Sequence, residues 1–352
     1  MTPKHLVTIA FFCLLIALPV GLFINARAQK PSTRPQDDKK PALTNYRISG
    51  PYTHKNLTIF LVHGKDLLPG RSFLTLQEAL AQKKVKVYET KDVNELAIRN
   101  FSNQDVYVQA GDIVRGGEQD RMISVDFIVP PRSGRMPIAA FCVESGRWSK
   151  RGEEQAGFFS SSENFAATKE LKLAAKRSIS QEAVWENVSV AQEKLGKNVA
   201  EVVAVSASPT SYELSVENAK VKETTAVYIN ALRGILRDKP DVIGYAFAIN
   251  GKVNSADVYA SRALFAKLWP KLLKATATEA LAELDQQAKA EPVANETIHE
   301  FLADSEQPKA KSKDVTQRVR VVTREDDENI FFETQDRREK DAWVHRNYIR
   351  KQ

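Results

Sequence analysis

The chain has 352 residues, 43% of them apolar and 27% charged, which supports one large globular domain or two small ones with a sizeable core. Its formal charge of +7 is spread along the sequence, so neither composition nor charge marks a nucleic-acid binder.

Residues 1–28 read as a secretory signal peptide. Lys4 and His5 open it, an apolar run fills 6–24, and Ala26-Arg27-Ala28 supplies small residues at a cleavage site. The run approaches the roughly 20 residues that span a bilayer, so an uncleaved anchor is the other reading, and it would be the chain's one contact with a membrane. Pro19 and Gly21 near its end favour cleavage, with Gln29 as the mature N-terminus and a periplasmic or extracellular destination. Cleavage takes Lys4 and Arg27 out of the 51 basic residues against 44 acidic ones, so +7 becomes +5. It also removes Cys13 and leaves Cys142 alone, so no internal disulfide is expected.

Residues 29–45, "QKPSTRPQDDKKPALTN", hold little to bury and read as a flexible tether. "LTIFLVHG" (57–64) is an apolar run of strand length. "SFLTLQEALAQKK" (72–84) then spaces Leu76 and Leu80 for a helix, with Ser72 as a candidate N-cap. From 85 to 143 the period falls to two in five runs, "VKVYET", "ELAIRNF", "VYVQAGDIV", "RMISVDFIV" and "MPIAAFCVE", divided by turn signals. In the fourth run, alternation puts Ile123, Val125, Phe127 and Val129 on a core face, and the five together predict an antiparallel sheet or small sandwich.

Beyond Gly157 the period becomes helical. Trp185, Val188, Ala191 and Leu195 form one stripe behind a Ser180 N-cap, with Gly196 as the stop. A second helix is predicted over 212–237. In "DVIGYAFAINGKVNSADVYAS" (241–261) Asn250-Gly251 is a strong hairpin signal, and a helix follows over 262–284 that Pro270 either kinks or restarts. Residues 286–315 read as a polar linker with a short helix around "ETIHEFLAD". Residues 316–352 hold two or three strands that pack on a main domain of 46–285. The class is therefore α+β: antiparallel strands in the N-terminal half, helices and a β-hairpin in the second, and C-terminal strands.

Two stretches, "AGDIVRGGEQDRMISVDFIVPP" (110–131) and "IAAFCVESGRW" (138–148), resemble the ARG and Rhodanese-Phosphatase-superfamily-associated Protein domain family. The likeness continues through "SQEAVW" (180–185) and "VIGYAFAINGKVNSADVYAS" (242–261), covering 46–284. No activity is established for the family. Its name records an association with ADP-ribosylglycohydrolases and rhodanese-phosphatase enzymes, so the resemblance points toward a nucleotide-derived ligand.

The candidate site lies in these two stretches. Gly116 and Gly117 can take positive φ and turn successive N–H groups toward one anion, with Arg115 and Arg121 adding planar, bidentate charge beside Asp112, Gln119 and Asp120. The same glycines also suit an ordinary hairpin loop in which Arg121 pairs with Asp112 or Asp120. If Phe141 and Val143 face the core, Cys142 and Glu144 face outward or into a cleft beside Arg147 and Trp148. The competing reading makes Cys142 a small buried hydrophobe and Trp148 a lid on the core.

Other chemistries find less support. His54, His63, His299 and His345 lack metal-ligand spacing, and no cofactor motif occurs. "VHGKD" (62–66) is not followed by a G-x-S-x-G elbow. Three functions remain. The first is binding of a small anionic ligand, nucleotide- or sugar-phosphate-like, through Arg115, Gln119, Arg121, Glu144 and Arg147. The second is a hydrolase or transferase using Glu144 with Asp112 or Asp120 as acid and base. The third is an envelope scaffold whose partner is another protein.

Overall fold

The computed structural model describes residues 46–177, 180–288, 291–339 and 342–351, all within one compact unit. The leader and tether expected over 1–45 lie outside the described residues.

A hairpin of β1 (Arg47–His54) and β2 (Leu57–His63) comes first, then β3 (Leu74–Thr75) and α1 (Leu76–Ala81). Thr75, not Ser72, starts α1: it accepts from Glu78 N while the Glu78 carboxylate accepts from Thr75 N, closing a capping box. Strands β4 (Val85–Asp92), β5 (Glu95–Asn100), β6 (Val106–Val108), β7 (Asp112–Gly116), β8 (Arg121–Ile123), β9 (Phe127–Val129), β10 (Met136–Cys142) and β11 (Phe158–Phe165) follow. Helices α2 (Lys169–Lys176), α3 (Gln181–Val199), α4 (Tyr212–Val216) and α5 (Ala219–Leu232) precede the hairpin of β12 (Val242–Ile249) and β13 (Lys252–Tyr259). The chain ends with α6 (Arg262–Ala282), α7 (Asn295–Ser305), β14 (Lys311–Asp314), β15 (Val319–Glu325), β16 (Asn329–Asp336) and β17 (Ala342–Arg350).

Six strands, in the order β10-β5-β4-β11-β7-β8, close into a barrel. The expected strands of an antiparallel sheet or small sandwich are present and antiparallel; their closure into a barrel comes from β11, "FFSSSENF", whose serines hide it from a hydrophobic pattern. It pairs with β4 on one side (Phe158 opposite Tyr88) and β7 on the other (Ser160 opposite Arg115). Alternation sends Val87, Ile98, Val114, Ile123, Ile138 and Phe159 into one buried cluster, and sends Ile113, Met122 and Phe141 into another with α2 and α3. "RMISVDFIV" is not one strand: β8 belongs to the barrel and β9 to a small sheet, β3-β6-β9. Met122 and Ile128 are as buried as Ile123 and Phe127, so this run has no outward face.

The large antiparallel sheet runs β1-β2-β12-β13-β17-β16-β15-β14. Leu57, Ile59 and Leu61 pack with Leu268 and Leu272 of α6, whereas Phe60 and Val62 pack with Ile298 and Phe301 of α7. Cover on both faces explains why β2 and β12 read as unbroken apolar runs. Asn250 and Gly251 both hold positive φ, 51° and 76°, in a two-residue hairpin with Ile249 opposite Lys252.

Several local expectations shift. Ser180 caps α3, but the helix passes Gly196 and ends where Ala200 turns left-handed. The helix predicted over 212–237 is divided at Asn218, whose side chain caps α5. α6 continues through Pro270. The short helix expected around "ETIHEFLAD" is α7, and it packs into the fold by burying Ile298, Phe301 and Leu302; β17 lies within the large sheet between β13 and β16.

Candidate functional site

The loop joining β7 to β8 holds the two glycines at positive φ, 118° at Gly116 and 58° at Gly117. A side chain at Gly117 would place its Cβ 2.4 Å from the Phe159 ring. The loop amides are already engaged. Gly116 N–H donates to Asp120 Oδ1 (3.0 Å), Gly117 N–H to the carbonyls of Gln155 (3.1 Å) and Phe158 (3.3 Å), and Glu118 N–H to Glu89 Oε2 (3.3 Å). The carboxylates gathered here are the protein's own.

Arg121 is 1% exposed and pairs with neither Asp112 nor Asp120. It donates to the carbonyls of Val93 (2.7 Å) and Asp92 (3.2 Å) and meets Glu89 at 3.3 Å. Asp112 serves a different contact, accepting from Lys271 of α6 at 2.6 Å and from Gln109 N–H at 3.0 Å.

Asp120, Glu144 and Arg147 do converge, and Arg151 joins them. Asp120 N–H and Arg147 Nε donate to Glu144 Oε1 at 2.6 and 2.7 Å, and Ser208 Oγ–H donates to Glu144 Oε2 at 2.8 Å. Arg151 donates to Asp120 Oδ2 (3.1 Å) and Glu154 Oε1 (2.7 Å). Burial first, and the Glu144 carboxylate second, push the Asp120 carboxyl up to about 6. Gln119, which immediately precedes Asp120, is fully buried, and neither end of its amide has a partner among the described residues. Helix α3 fixes the other side: Gln181 bonds both N and O of Cys142 at 2.8 Å, and Trp185 Nε1 donates to Glu144 O at 2.9 Å.

Cys142 and Glu144 are both buried rather than facing outward, because Gln181, Trp185 and Ser208 close over that side. Burial pushes the Cys142 thiol up to about 11. Trp148 is 54% exposed and is no core lid. Arg151 and Ser208 are additions to the candidate set. Arg151 shows a local signal, an acid three residues on at Glu154, whereas Ser208 lies 64 residues from its partner.

Arg115 stands apart. Its side chain is 35% exposed and approaches Glu154 and Glu213 only at 3.7 Å each. It lines a groove of about 780 Å³ on the outer face of the barrel with Lys83, Lys86, Glu154, Phe158 and Ser160.

A second polar constellation joins residues that the sequence scatters. His345 Nδ1 lies 2.6 Å from Asp126 Oδ2 and its Nε2 lies 2.9 Å from Asp257 Oδ1, while Tyr107 and Thr334 hydroxyls donate to Asp126 at 3.1 and 2.8 Å. Asp126 and Thr334 also line a cavity of about 370 Å³ with Lys176 and Phe332. Among the described residues, no cluster of His, Cys, Asp and Glu could hold a metal ion.

No curated protein and no solved structure matches the chain. The model of the ARG and Rhodanese-Phosphatase-superfamily-associated Protein domain matches residues 45–349. That span reaches from β1 into β17, past the 46–284 that carried the resemblance, so the barrel and every strand of the large sheet but the last residue of β17 lie inside one family domain. The chain belongs to the ARG and Rhodanese-Phosphatase-superfamily-associated Protein domain family.

Proposed function

We propose that this chain is an exported domain that binds a small anionic ligand, nucleotide- or sugar-phosphate-like, in the groove on the outer face of the barrel. One observation carries the reading. Arg121, Arg147 and Arg151 each have a carboxylate within 3.3 Å, whereas Arg115 meets its acids only at 3.7 Å and opens, with Lys83 and Lys86, on a groove of about 780 Å³. That size falls in the roughly 300–1,000 Å³ range of small-molecule sites. A guanidinium held this loosely by its own acids can turn its planar fork to a phosphate or carboxylate.

The test is a thermal-shift panel of phosphates and nucleotides on protein beginning at Gln29. Arg115→Ala is expected to abolish the ligand-induced shift, and Arg115→Lys to weaken it, because lysine keeps charge and loses bidentate geometry. Undiminished binding in Arg115→Ala would refute the reading. Intact-mass analysis of exported protein should find Gln29 first, and a full-length chain in the membrane fraction would count against export.

A second reading, a hydrolase or transferase, has its own support. The Asp120 carboxyl at about 6 beside Glu144 is poised for general acid work near neutral pH, and the amide of Gln119, without a partner among the described residues, adjoins it in sequence. Turnover of a bound ligand that disappears in Asp120→Asn while binding persists is the outcome this reading requires.

A further inference from the structure

We infer that the ligand of this groove carries a planar ring, seated on an aromatic strip that crosses the outer face of the barrel; the inference rests on the reading of the groove as an anion site. Tyr88 of β4 and Phe158 of β11 occupy facing positions in the ladder, with their rings edge-to-face at 5.5 Å. A cation flanks each ring: the Arg135 guanidinium lies 4.0 Å from the Tyr88 ring centre and Lys86 Nζ lies 4.8 Å from that of Phe158. One strand further, Arg99 of β5 stands opposite Lys86 and lies 4.8 Å from the Phe101 ring centre.

Two features mark this strip as a binding surface. Like charges at facing positions destabilise an antiparallel pair, yet Lys86 and Arg99 face each other. Among the described residues, Lys86, Arg99 and Arg135 form no ion pair; the nearest acids of the groove, Glu153 and Glu154, line its Arg115 side without pairing with these three cations. The rings are also left open: Phe158 is 38% exposed and Phe101 44%, in a fold that buries most of its large aromatics. Exposed rings between these cations fit a molecule that offers a π-face and an anionic group together. Phe158 and Lys86 line the same groove as Arg115, so ring and anion fall within one site.

The probes are AMP, which has a ring and a phosphate, and ribose 5-phosphate, which has only the phosphate, titrated calorimetrically into protein from residue 29 onward. AMP is expected to bind at least about tenfold more tightly, as base stacking on aromatic side chains generally provides. Phe158→Leu and Tyr88→Leu should remove that preference and leave ribose 5-phosphate unchanged, whereas Arg115→Ala should weaken both. Equal affinity for the two probes on the unaltered chain overturns the ring and leaves the anion site standing; this arm needs no variant to fold. Failure of both probes to bind overturns the ring and the anion reading together. Preference for AMP retained in both leucine variants also overturns the strip, since the ring would then be recognised elsewhere.

Discussion

Asp120 is buried beside a second carboxylate, and its proton affinity records that. Its carboxyl stands at about 6 against an ordinary 3.8, so between these values the folded chain holds a proton that the unfolded chain has released. By linkage, the stability this contributes is complete below about pH 4 and is lost as pH rises to about 6. Asp120→Asn should remove that slope. The wild-type minus variant unfolding free energy, from urea titrations at pH 4, 5, 6 and 7, is expected to fall by on the order of 2 kcal/mol across the window. A difference independent of pH would show that Asp120 ionises as it does unfolded. Arg147 and Arg115 make a sharper contrast. Arg147, 8% exposed, is the nearer of two cations on the fully buried Glu144, with Arg151 at 3.6 Å, so Arg147→Ala leaves that charge only partly compensated and should cost about 2–4 kcal/mol. Arg115→Ala, at a partly exposed position, should stay within about 1 kcal/mol. Denaturant midpoints at neutral pH separate the two, and equal losses would contradict the distinction between an internal and a groove-facing arginine.

At the scale of elements, the loop between β7 and β8 turns through Gly116 and Gly117 because a side chain fits at neither. Gly117→Val combines a β-branched residue at φ 58° with a Cβ 2.4 Å from Phe159, so a loss of about 2 kcal/mol or more is expected by chemical denaturation. A loss below about 0.5 kcal/mol would mean the loop can be rebuilt without glycine. This loop also shows what the sequence could reveal. The Asn250-Gly251 turn and the Ser180 cap were legible because each is fixed by chemistry within a few residues. β11 was not legible, since its strand character comes from β4 and β7 on either side and not from its own serines. The arginines show the same boundary. Arg147 pairs with Glu144 three residues earlier, which local reading could have noticed, whereas Arg121 finds Glu89 from 32 residues away.

Across the whole molecule, one imidazole ties separate layers together. His345 lies on β17 and Asp257 on β13, while Asp126 sits in the turn from β8 to β9, where the chain leaves the barrel for the small sheet. Burial alone would strip the proton from His345, but Asp126 and Asp257 outweigh it and raise the pKa above 6.5; pairing with His345 likewise outweighs burial and lowers Asp126 and Asp257 below 3.8. The histidine's contribution is therefore complete below about pH 6.5 and fades as pH rises through its folded value, while that of the aspartates is complete above about pH 4 and fades toward acid. Between those limits the network is fully charged. His345→Gln, which leaves two buried carboxylates facing an uncharged amide, should cost about 3–5 kcal/mol near pH 6 and less at pH 9. The barrel should nonetheless unfold together with the large sheet. Val87 and Ile98 of the barrel share one continuous buried cluster with Ile59 and Phe247 of the sheet, and His345 touches that cluster only through the rings of Tyr107 and Tyr259. Far-ultraviolet dichroism and tryptophan fluorescence should thus report a single transition at a lower denaturant midpoint. Two separated transitions in His345→Gln would instead assign the coupling between barrel and sheet to the charged network and not to the core.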